Sequence, residues 1–338
     1  MTLKDIARMA GVSTMTVSNV INGKTSRVSK ETRDRINAII REYGYVPNLS
    51  ARSLTNKVSN IIGIIISLED GGCENYLENP YISTMIGTIE RSLREQGYFV
   101  MVRSIDRTAD YATLLRNWNV DGVLFLYPPR PDALQKLLAV STCPVAVFDC
   151  CEDRSDVIRI CSDDRKGLYL ATRYVIERGH RQIAFVADYE GNAILTERFL
   201  GYRQALDEHN IPFRPEYVIP VPPNYKGGLA AGLRICAPES PITAAVTTAD
   251  ICAIGVMEGA RQQGRQLPRE LSVVGFDNLS LCDYVTPHLT SISQNLPEKA
   301  RCAVELLLSQ IRTGALPAQP HATMDVAIAE RASVASLE

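Results

Sequence analysis

Small hydrogen-bonding side chains are concentrated near the start of the chain, between residues 13 and 22. Thr14, Met15 and Asn19 fall in the first part of a short segment with helical periodicity. At the end of a helix such side chains can reach base edges, where threonine bonds several bases or touches the thymine methyl group and asparagine pairs best with adenine. Other polar side chains suit phosphate contacts, which position a protein without reading sequence: Ser13, Thr16, Ser18 and Asn22.

Three short helices are predicted to hold these side chains. Thr2 is the expected N-cap of the first helix, with Asp5 at the capping-box position, and Gly11 ends that helix because glycine enters the left-handed conformation without steric cost. Ser13 is expected to cap the second helix and Ser29 the third. Two short helices joined by a tight turn, with a third helix bracing them, form a helix-turn-helix. A plain three-helix bundle with polar faces is the alternative.

Charge is distributed unevenly along the 338 residues. Residues 1–57 carry ten lysines and arginines against four acids, a net charge of +6, whereas the whole chain has a net charge of -2. A basic head on an acidic body is what a nucleic-acid partner for the head alone requires. We expect the body not to bind DNA.

From residue 61 the pattern changes to short apolar runs that alternate with helical segments. The run Ile61–Ile66 suits a strand buried on both faces. Further strands are predicted at 98–102, 122–126, 145–148, 183–187, 244–247 and 272–275. This alternation predicts an α/β fold with two similar lobes of parallel sheet in series, the second beginning near Val157. Open parallel sheets bind ligands at the carboxyl ends of their strands, so a cleft between the lobes is the expected ligand site.

Several function classes are disfavoured. The chain has no apolar run of 18 residues and no signal-peptide pattern, and its nine cysteines form no CxxC pair, which indicates a cytoplasmic protein with reduced thiols. The expected localisation is cytoplasmic and nucleoid-associated. No metal or cofactor is expected. An enzyme is disfavoured because the G-x-G-x-x-G, P-loop and H-E-x-x-H patterns are absent. An exported transport receptor is disfavoured by the basic head and the missing export signal.

The order of the residues in the head resembles the lactose-repressor (LacI/GalR) family. The matching stretches are TLKDIA, AGVS, TVS.VIN, VS..TR and YVPN..AR.L. This resemblance implies a sequence-specific operator-binding repressor. It also implies a hinge helix that forms when two heads occupy one operator, with Leu54 wedged into the minor groove. The hinge residues implied to contact DNA, besides Thr2 in the head, are Asn48, Ala51, Arg52 and Leu54. An ordinary helix-face leucine in a linker is the alternative for Leu54.

The resemblance continues through the body and implies effector-binding residues there. GHRQIAFVA, ERFLGYRQAL, LSVVGFDN and PHLTSISQ are similar to core motifs of the family. Arg198 matches the arginine that holds ligand hydroxyls or carboxylates, and Asp277 the aspartate that accepts from sugar hydroxyls. Tyr225 falls where an aromatic residue often stacks on the ligand, and Asp164 in a loop at the cleft. A surface salt bridge, a structural turn and a core aromatic are the respective alternatives for Arg198, Asp277 and Tyr225.

Two departures from the family pattern bear on the ligand. The family usually has Asn-Asp before a helix where this chain has Ala249 and Asp250, so Asp250 is kept but the amide is missing. The stretch 69–81 is longer than usual, acidic and aromatic. It is either a solvated loop or a loop that covers the ligand.

We therefore expect a homodimeric transcriptional regulator, with operator DNA and a small sugar-like effector as its partners. The expected divisions are a head at 1–46, a hinge helix and linker at 47–59, and a periplasmic-binding-protein-like core at 60–338. Within the core, lobe one is expected at about 60–161 and 293–322, and lobe two at about 162–292 and 323–338. The tail carries no leucine heptads that would favour a tetramer.

Overall fold

The computed structural model describes residues 1–21, 23, 26–45, 58–68, 75–106, 113, 115, 118–127, 131–150 and 154–337. The chain divides into two compact units, Met1–Ser59 and Asn60–Glu338. They are called the head and the core below, and each is described by itself. Among the described residues, no helix is both long enough and apolar enough to cross a membrane.

The head is built from three short helices, α1 (Leu3–Ala10), α2 (Thr14–Ile21) and α3 (Lys30–Glu42). They enclose one small apolar core, made of Ile6, Ala7, Ala10, Val17, Val20, Ile36 and Ile39. The apolar positions of α1 recur at helical spacing, so one face of that helix is buried against the other two.

Side-chain caps set the ends of these helices, and the predicted caps are confirmed. The Thr2 hydroxyl accepts from the Asp5 backbone N–H, and the Asp5 carboxylate accepts from the Thr2 backbone N–H at 2.9 Å. Gly11 ends α1 in the left-handed conformation, with φ 66°. Ser13 Oγ accepts from the Thr16 N–H at 3.1 Å, and the Ser29 hydroxyl caps α3. Each such cap stabilises its helix by about 1 kcal/mol.

The core contains two six-stranded sheets, as the α/β prediction required. The first has the strand order β11-β5-β4-β3-β1-β2 and is parallel throughout, and the second has the order β12-β10-β9-β8-β6-β7. Only β12 runs antiparallel to its neighbour among the described pairs of the second sheet. The strands are β1 (Ile61–Leu68), β2 (Phe99–Asp106), β3 (Gly122–Leu126), β4 (Val145–Phe148), β5 (Ile158–Ser162), β6 (Ile183–Val186), β7 (Val218–Ile219), β8 (Ala244–Thr247), β9 (Ser272–Asp277), β10 (Thr290–Ser293), β11 (His321–Met324) and β12 (Ala327–Ala329).

Helices cover both sheets, which is the arrangement that parallel strands require. They are α4 (Pro80–Glu95), α5 (Pro131–Val140), α6 (Asp164–Glu177), α7 (Ala193–Glu208), α8 (Tyr225–Ile235), α9 (Asp250–Gln262) and α10 (Leu296–Thr313). Apolar residues of α4 and α10 pack on the first sheet, and those of α6 and α7 on the second. The helix predicted at 109–118 lies largely outside the described residues.

The sequence pattern missed some strands, and one segment was placed in the wrong series. The strand–helix alternation puts the start of the second lobe near Val157, but Ile158–Ser162 pairs with β4 in the first sheet. The bounds expected for lobe one, about 60–161, already include most of this strand. β10, β11 and β12 were not predicted, because each is short and none has the continuous apolar run of a central strand. β11 joins the first sheet and β12 the second, so the chain returns to both sheets near its end.

Two helix pairs pack at backbone contact, which glycine permits. A Cβ atom on Gly201 of α7 would lie 2.0 Å from the Arg165 carbonyl oxygen of α6. A Cβ atom on Gly228 of α8 would lie 2.0 Å from the Cys252 carbonyl oxygen of α9. Both helix pairs therefore depend on a residue without a side chain at the crossing point.

Candidate functional site

In the head, the predicted base-reading side chains lie at the start of α2. Thr14 and Met15 are exposed, Met15 by 68%, and Asn19 lies one turn further along the helix, half-buried. Ser13 Oγ and Thr16 Oγ1 are 2.9 Å apart and bond to each other at the helix start. Thr2 precedes α1 and is exposed, and Ser18 lies on α2, half-buried. Five predicted DNA contacts lie outside the described residues, namely Asn22, Asn48, Ala51, Arg52 and Leu54.

In the core, one cavity of about 140 Å³, lined by both polar and apolar side chains, lies at the carboxyl ends of strands from both sheets. It is called the inter-sheet cavity below. The strands that precede the lining residues run parallel within each sheet, so the loops that follow those strands meet at this edge. The lining residues are Asn79, Pro80, Tyr81, Tyr127, Asp149, Asn192, Ile194, Leu195, Arg198, Pro223, Thr248, Ala249, Ile251, Asp277, Leu279 and Gln294.

Three lining residues at strand ends have left-handed backbone conformations. Tyr127 follows β3 with φ 59°, Asp149 follows β4 with φ 56°, and Asp277 ends β9 with φ 118°. Such conformations cost a non-glycine residue about 1–3 kcal/mol and persist where the surrounding structure enforces them. Their occurrence at three strand ends around one cavity makes this edge the candidate functional site.

Arg198 of α7 reaches the cavity and is held on three sides. Its Nε donates to Asp164 Oδ1 at 2.8 Å, and its Nη1 donates to the Thr248 carbonyl oxygen at 2.5 Å. The guanidinium carbon lies 3.7 Å from the centre of the Phe276 ring. Burial raises the pKa of the Asp164 carboxyl, and the Arg198 charge opposes that rise. Asp164 therefore lies behind Arg198 and orients it, and is not itself among the lining residues.

Asp277 lines the cavity on the side of the second sheet. Gln294 Nε2 donates to Asp277 Oδ1 at 2.6 Å. Burial raises the pKa of Asp277 well above its ordinary value, the nearby Asp250 carboxylate adds to the rise, and Arg198 opposes it.

The first sheet contributes Asp149 and Tyr127, which were not predicted, and Tyr81, the last residue of the candidate ligand-covering stretch 69–81. Tyr81 OH donates to Asp149 Oδ2 at 2.8 Å, and the rings of Tyr81 and Tyr127 lie 6.2 Å apart. Burial raises the pKa of Tyr81 well above its ordinary value, so its hydroxyl stays protonated as a donor. Asp149 and Tyr127 directly follow predicted strands, and this position could have identified them as candidate ligand-binding residues. Gln294 and Asn192 carried no comparable signal.

The other two predicted effector residues are not among the lining residues. Tyr225 begins α8 and is 40% exposed. Asp250 is fully buried and accepts from the Leu279 N–H at 2.8 Å and from Ser291 Oγ at 2.5 Å. Its Oδ1 lies only 2.3 Å from the place that a Cβ on Gly275 would take. Asp250 thus holds together the loop after β9, and its neighbour Ala249 lines the cavity.

The end of the long stretch 69–81 reaches the cavity. Residues 69–74 lie outside the described part of the chain, and Tyr76–Glu78 form a 3-10 turn. Asn79 caps α4 and lines the cavity together with Pro80 and Tyr81. The predicted ligand-covering loop therefore remains a hypothesis for its first six residues.

The burial of Asp250 predicts that the free energy of unfolding depends on pH. Burial raises its pKa from 3.8 to about 6, so its stabilising contribution is complete below the unfolded pKa and is lost as pH rises through about 6. We expect the free energy of unfolding of the wild type, minus that of Asp250→Asn, to fall by about 1–3 kcal/mol between pH 4.5 and 7.5. Urea unfolding of both proteins across this range measures the difference. A difference that stays constant would refute the assignment.

A helix-turn-helix head, together with a core that has two α/β sheets and a cavity between those sheets, defines a ligand-binding transcriptional regulator. Residues 2–48 match the family described as bacterial regulatory proteins, lacI family, and residues 172–334 match the periplasmic binding protein-like domain. The chain belongs to the lacI family and is a DNA-binding transcriptional regulator.

Individual relatives support the same assignment over nearly the whole chain. The HTH-type transcriptional repressor PurR of Vibrio atlanticus is 32% identical over 316 residues, 92% of each chain. The ribose operon repressor of Haemophilus influenzae is 30% identical over 315 residues, also 92% of each chain. A solved complex of the transcriptional regulator CelR with cellobiose is 26% identical, with a TM-score of 0.72, and covers 98% of this chain and 99% of that chain.

The described residues contain no group of three or more His, Cys, Asp or Glu side chains that could hold a metal ion.

Proposed function

We propose that this chain is a homodimeric repressor of a carbohydrate-utilisation operon, controlled by an uncharged monosaccharide or sugar derivative in the inter-sheet cavity. The observation that carries the proposal is the chemistry of the cavity wall, which combines the carboxyls of Asp149 and Asp277, the guanidinium of Arg198 and the rings of Tyr81 and Tyr127. A polyol needs directional acceptors and donors together with an apolar ring face.

Unused hydrogen-bonding capacity in the wall supports a polyhydroxylated ligand. The Thr248 hydroxyl is buried and, among the described residues, has no hydrogen-bond partner. Buried polar groups are rarely left without partners, so a ligand hydroxyl is a fitting one. The guanidinium of Arg198 has five N–H groups, and Asp164 and Thr248 do not use all of them.

The size of the cavity favours a small ligand. Its volume of about 140 Å³ is below the range of about 300–1,000 Å³ that is typical of sites for drug-sized molecules. We therefore favour a single sugar ring, such as the ribose named for the Haemophilus influenzae relative, over a disaccharide such as the cellobiose bound by CelR.

On the DNA side, we propose that each head covers one half of a pseudo-palindromic operator. Thr14, Met15 and Asn19 would face base edges, and Leu54 in the proposed hinge at 47–59 would kink the centre of the site. Effector binding in the core and operator binding by the head would be coupled reciprocally. We place this protein in the cytoplasm at the nucleoid, and we assign it no catalytic activity and no cofactor.

Selection from random duplexes tests the proposal. The full chain should enrich a pseudo-palindromic site, and D-ribose or another neutral monosaccharide should change its affinity for that site. A monomer on the selected DNA would refute the dimer. If affinity tracked only salt concentration, sequence-specific binding would be refuted.

Thr14→Ala is expected to weaken binding to the selected operator by about tenfold and to relax the preference at one base pair in each half-site. The physical reason is the loss of one hydrogen-bonding side chain at the exposed start of α2. Fluorescence anisotropy with single-base operator variants measures both effects. Thr88→Ala, on α4 of the core, is the matched control and should leave operator affinity unchanged. Equal losses against every operator variant would assign Thr14 to the phosphate backbone.

A further inference from the structure

Beneath the inter-sheet cavity lies a buried lysine that does not line it. Lys299, on α10, has no solvent-exposed surface. The Tyr81 hydroxyl oxygen lies 3.5 Å from its ammonium nitrogen. The ammonium donates to three closer acceptors, Asp149 Oδ1 at 2.5 Å, Ser162 Oγ at 3.0 Å and Gln294 Oε1 at 3.1 Å. A lysine ammonium has three protons, and these three acceptors use them all. The charge is therefore committed to the protein and offers no proton to a phosphate or carboxylate ligand.

The lysine contact determines what Asp149 presents to a ligand. Lys299 occupies Oδ1 and Tyr81 OH occupies Oδ2, at 2.8 Å. Each carboxylate oxygen has two lone pairs, so each keeps one for a ligand hydroxyl. Asp149 lines the cavity and therefore faces a ligand as a hydrogen-bond acceptor.

The same ammonium fixes the orientation of the Gln294 amide. Gln294 Oε1 accepts both from Lys299 and from Ser162 Oγ, the latter at 2.7 Å, which fills both of its lone pairs. The amide nitrogen then donates to Asp277 at 2.6 Å. Its second proton is left for a ligand, so Gln294 acts as a donor in the cavity.

We propose that Lys299 is the specificity-determining positioning residue of the inter-sheet cavity. It holds Asp149 as an acceptor and Gln294 as a donor, so that the cavity selects a ligand hydroxyl. This inference rests on the proposed control by a neutral sugar. We also infer that a ligand contacts residues of both sheets next to the segment after β10, because Gln294 in that segment links Lys299 to Asp277.

The test is isothermal titration of the full chain with D-ribose and a panel of neutral pentoses and hexoses, their monodeoxy analogues and their phosphate esters. The wild type should bind a neutral sugar, reject its phosphate ester, and lose about 30-fold or more in affinity for one monodeoxy analogue, because buried polar groups are left without partners. Lys299→Met should bind the sugar at least tenfold more weakly and discriminate against that analogue by less than threefold.

Two further variants make the result decisive. Lys166→Met removes another lysine with a 2.5 Å ion pair, to Asp325, away from the cavity, and should behave as the wild type. Asp149→Asn/Lys299→Met removes both buried charges together, and should fold even where Lys299→Met does not. It should show the same loss of discrimination against the monodeoxy analogue. Circular dichroism identifies a temperature at which each variant is folded.

The outcomes separate the two proposals. If a folded Lys299→Met or the double variant discriminated against the monodeoxy analogue as the wild type does, the role of Lys299 would be refuted and control by a sugar would stand. If the wild type bound only phosphate esters, or bound no neutral sugar of the panel, control by a neutral sugar would be refuted and the role of Lys299 with it.

Discussion

Arg198→Met is expected to abolish the response to the effector, with a loss of about 100-fold or more in its affinity for the core. Removing one partner of a buried, hydrogen-bonded charge pair typically costs 2–5 kcal/mol or more. In this site Arg198 is 8% exposed, lines the cavity and is oriented by Asp164 and the Thr248 carbonyl. Operator affinity without the effector should persist, because the head does not contain this residue. Titration calorimetry and operator binding measure the two properties separately.

The same substitution should also destabilise the core, and this must be separated from ligand binding. It leaves the Asp164 carboxylate buried without its cation, a change that costs about 3–5 kcal/mol. Asp164→Asn/Arg198→Met removes both charges, so we expect it to recover much of the stability while ligand affinity remains lost. Arg203→Met is the matched control, since Arg203 lies on the same helix and packs 4.0 Å from the centre of the Phe213 ring, outside the cavity lining. Recovery of ligand affinity in the double variant would show that Arg198 supports only the fold.

Gly201→Ala is expected to destabilise the core by about 3 kcal/mol or more. The added Cβ would lie 2.0 Å from the Arg165 carbonyl oxygen, so α6 and α7 must move apart against a packed interior. Because Arg198 lies one turn before Gly201 and its partner Asp164 begins α6, this movement should also weaken effector binding. Urea denaturation gives the free energy of unfolding and titration calorimetry gives the affinity.

Gly87→Ala is the control for that experiment. Gly87 lies on the exposed face of α4, and nothing is within 4 Å of the Cβ that alanine would add. Alanine favours a helix over glycine by about 1 kcal/mol, so this variant should be more stable than the wild type. Equal effects from the two alanines would mean that helix propensity, and not the contact between α6 and α7, decides the outcome.

Local signals in the sequence determined the head. Thr2, Asp5, Gly11, Ser13 and Ser29 are confirmed as helix caps, because a cap and the backbone group that it satisfies lie within a few residues of each other. The sequence also predicted the central strands from their apolar runs, since strands buried on both faces require continuous apolar residues. The sequence did not predict the short strands β10, β11 and β12. They are strands because of the neighbours with which they pair, and not because of their composition.

Among the residues that line the cavity, the resemblance to family motifs predicted Arg198 and Asp277. Tyr127 and Asp149 could have been predicted because each directly follows a predicted strand. Only the tertiary structure showed that the Asp250 carboxylate bonds to the loop after β9 and to Ser291, since the space beside Gly275 and the donors of that loop decide its contacts.

Only the tertiary structure brought Asp149 and Lys299 together. They are 150 residues apart in the chain. Asp149 directly follows a strand of the first sheet, and Lys299 lies on α10, which packs on the same sheet when the chain returns to it. From the sequence alone, a lysine on a helix is expected to have a solvated side chain, even beside apolar residues. The burial of Lys299 depends on a carboxylate that a distant strand supplies. Composition and periodicity describe each segment separately, whereas the polarity of the ligand site is set by which segments meet.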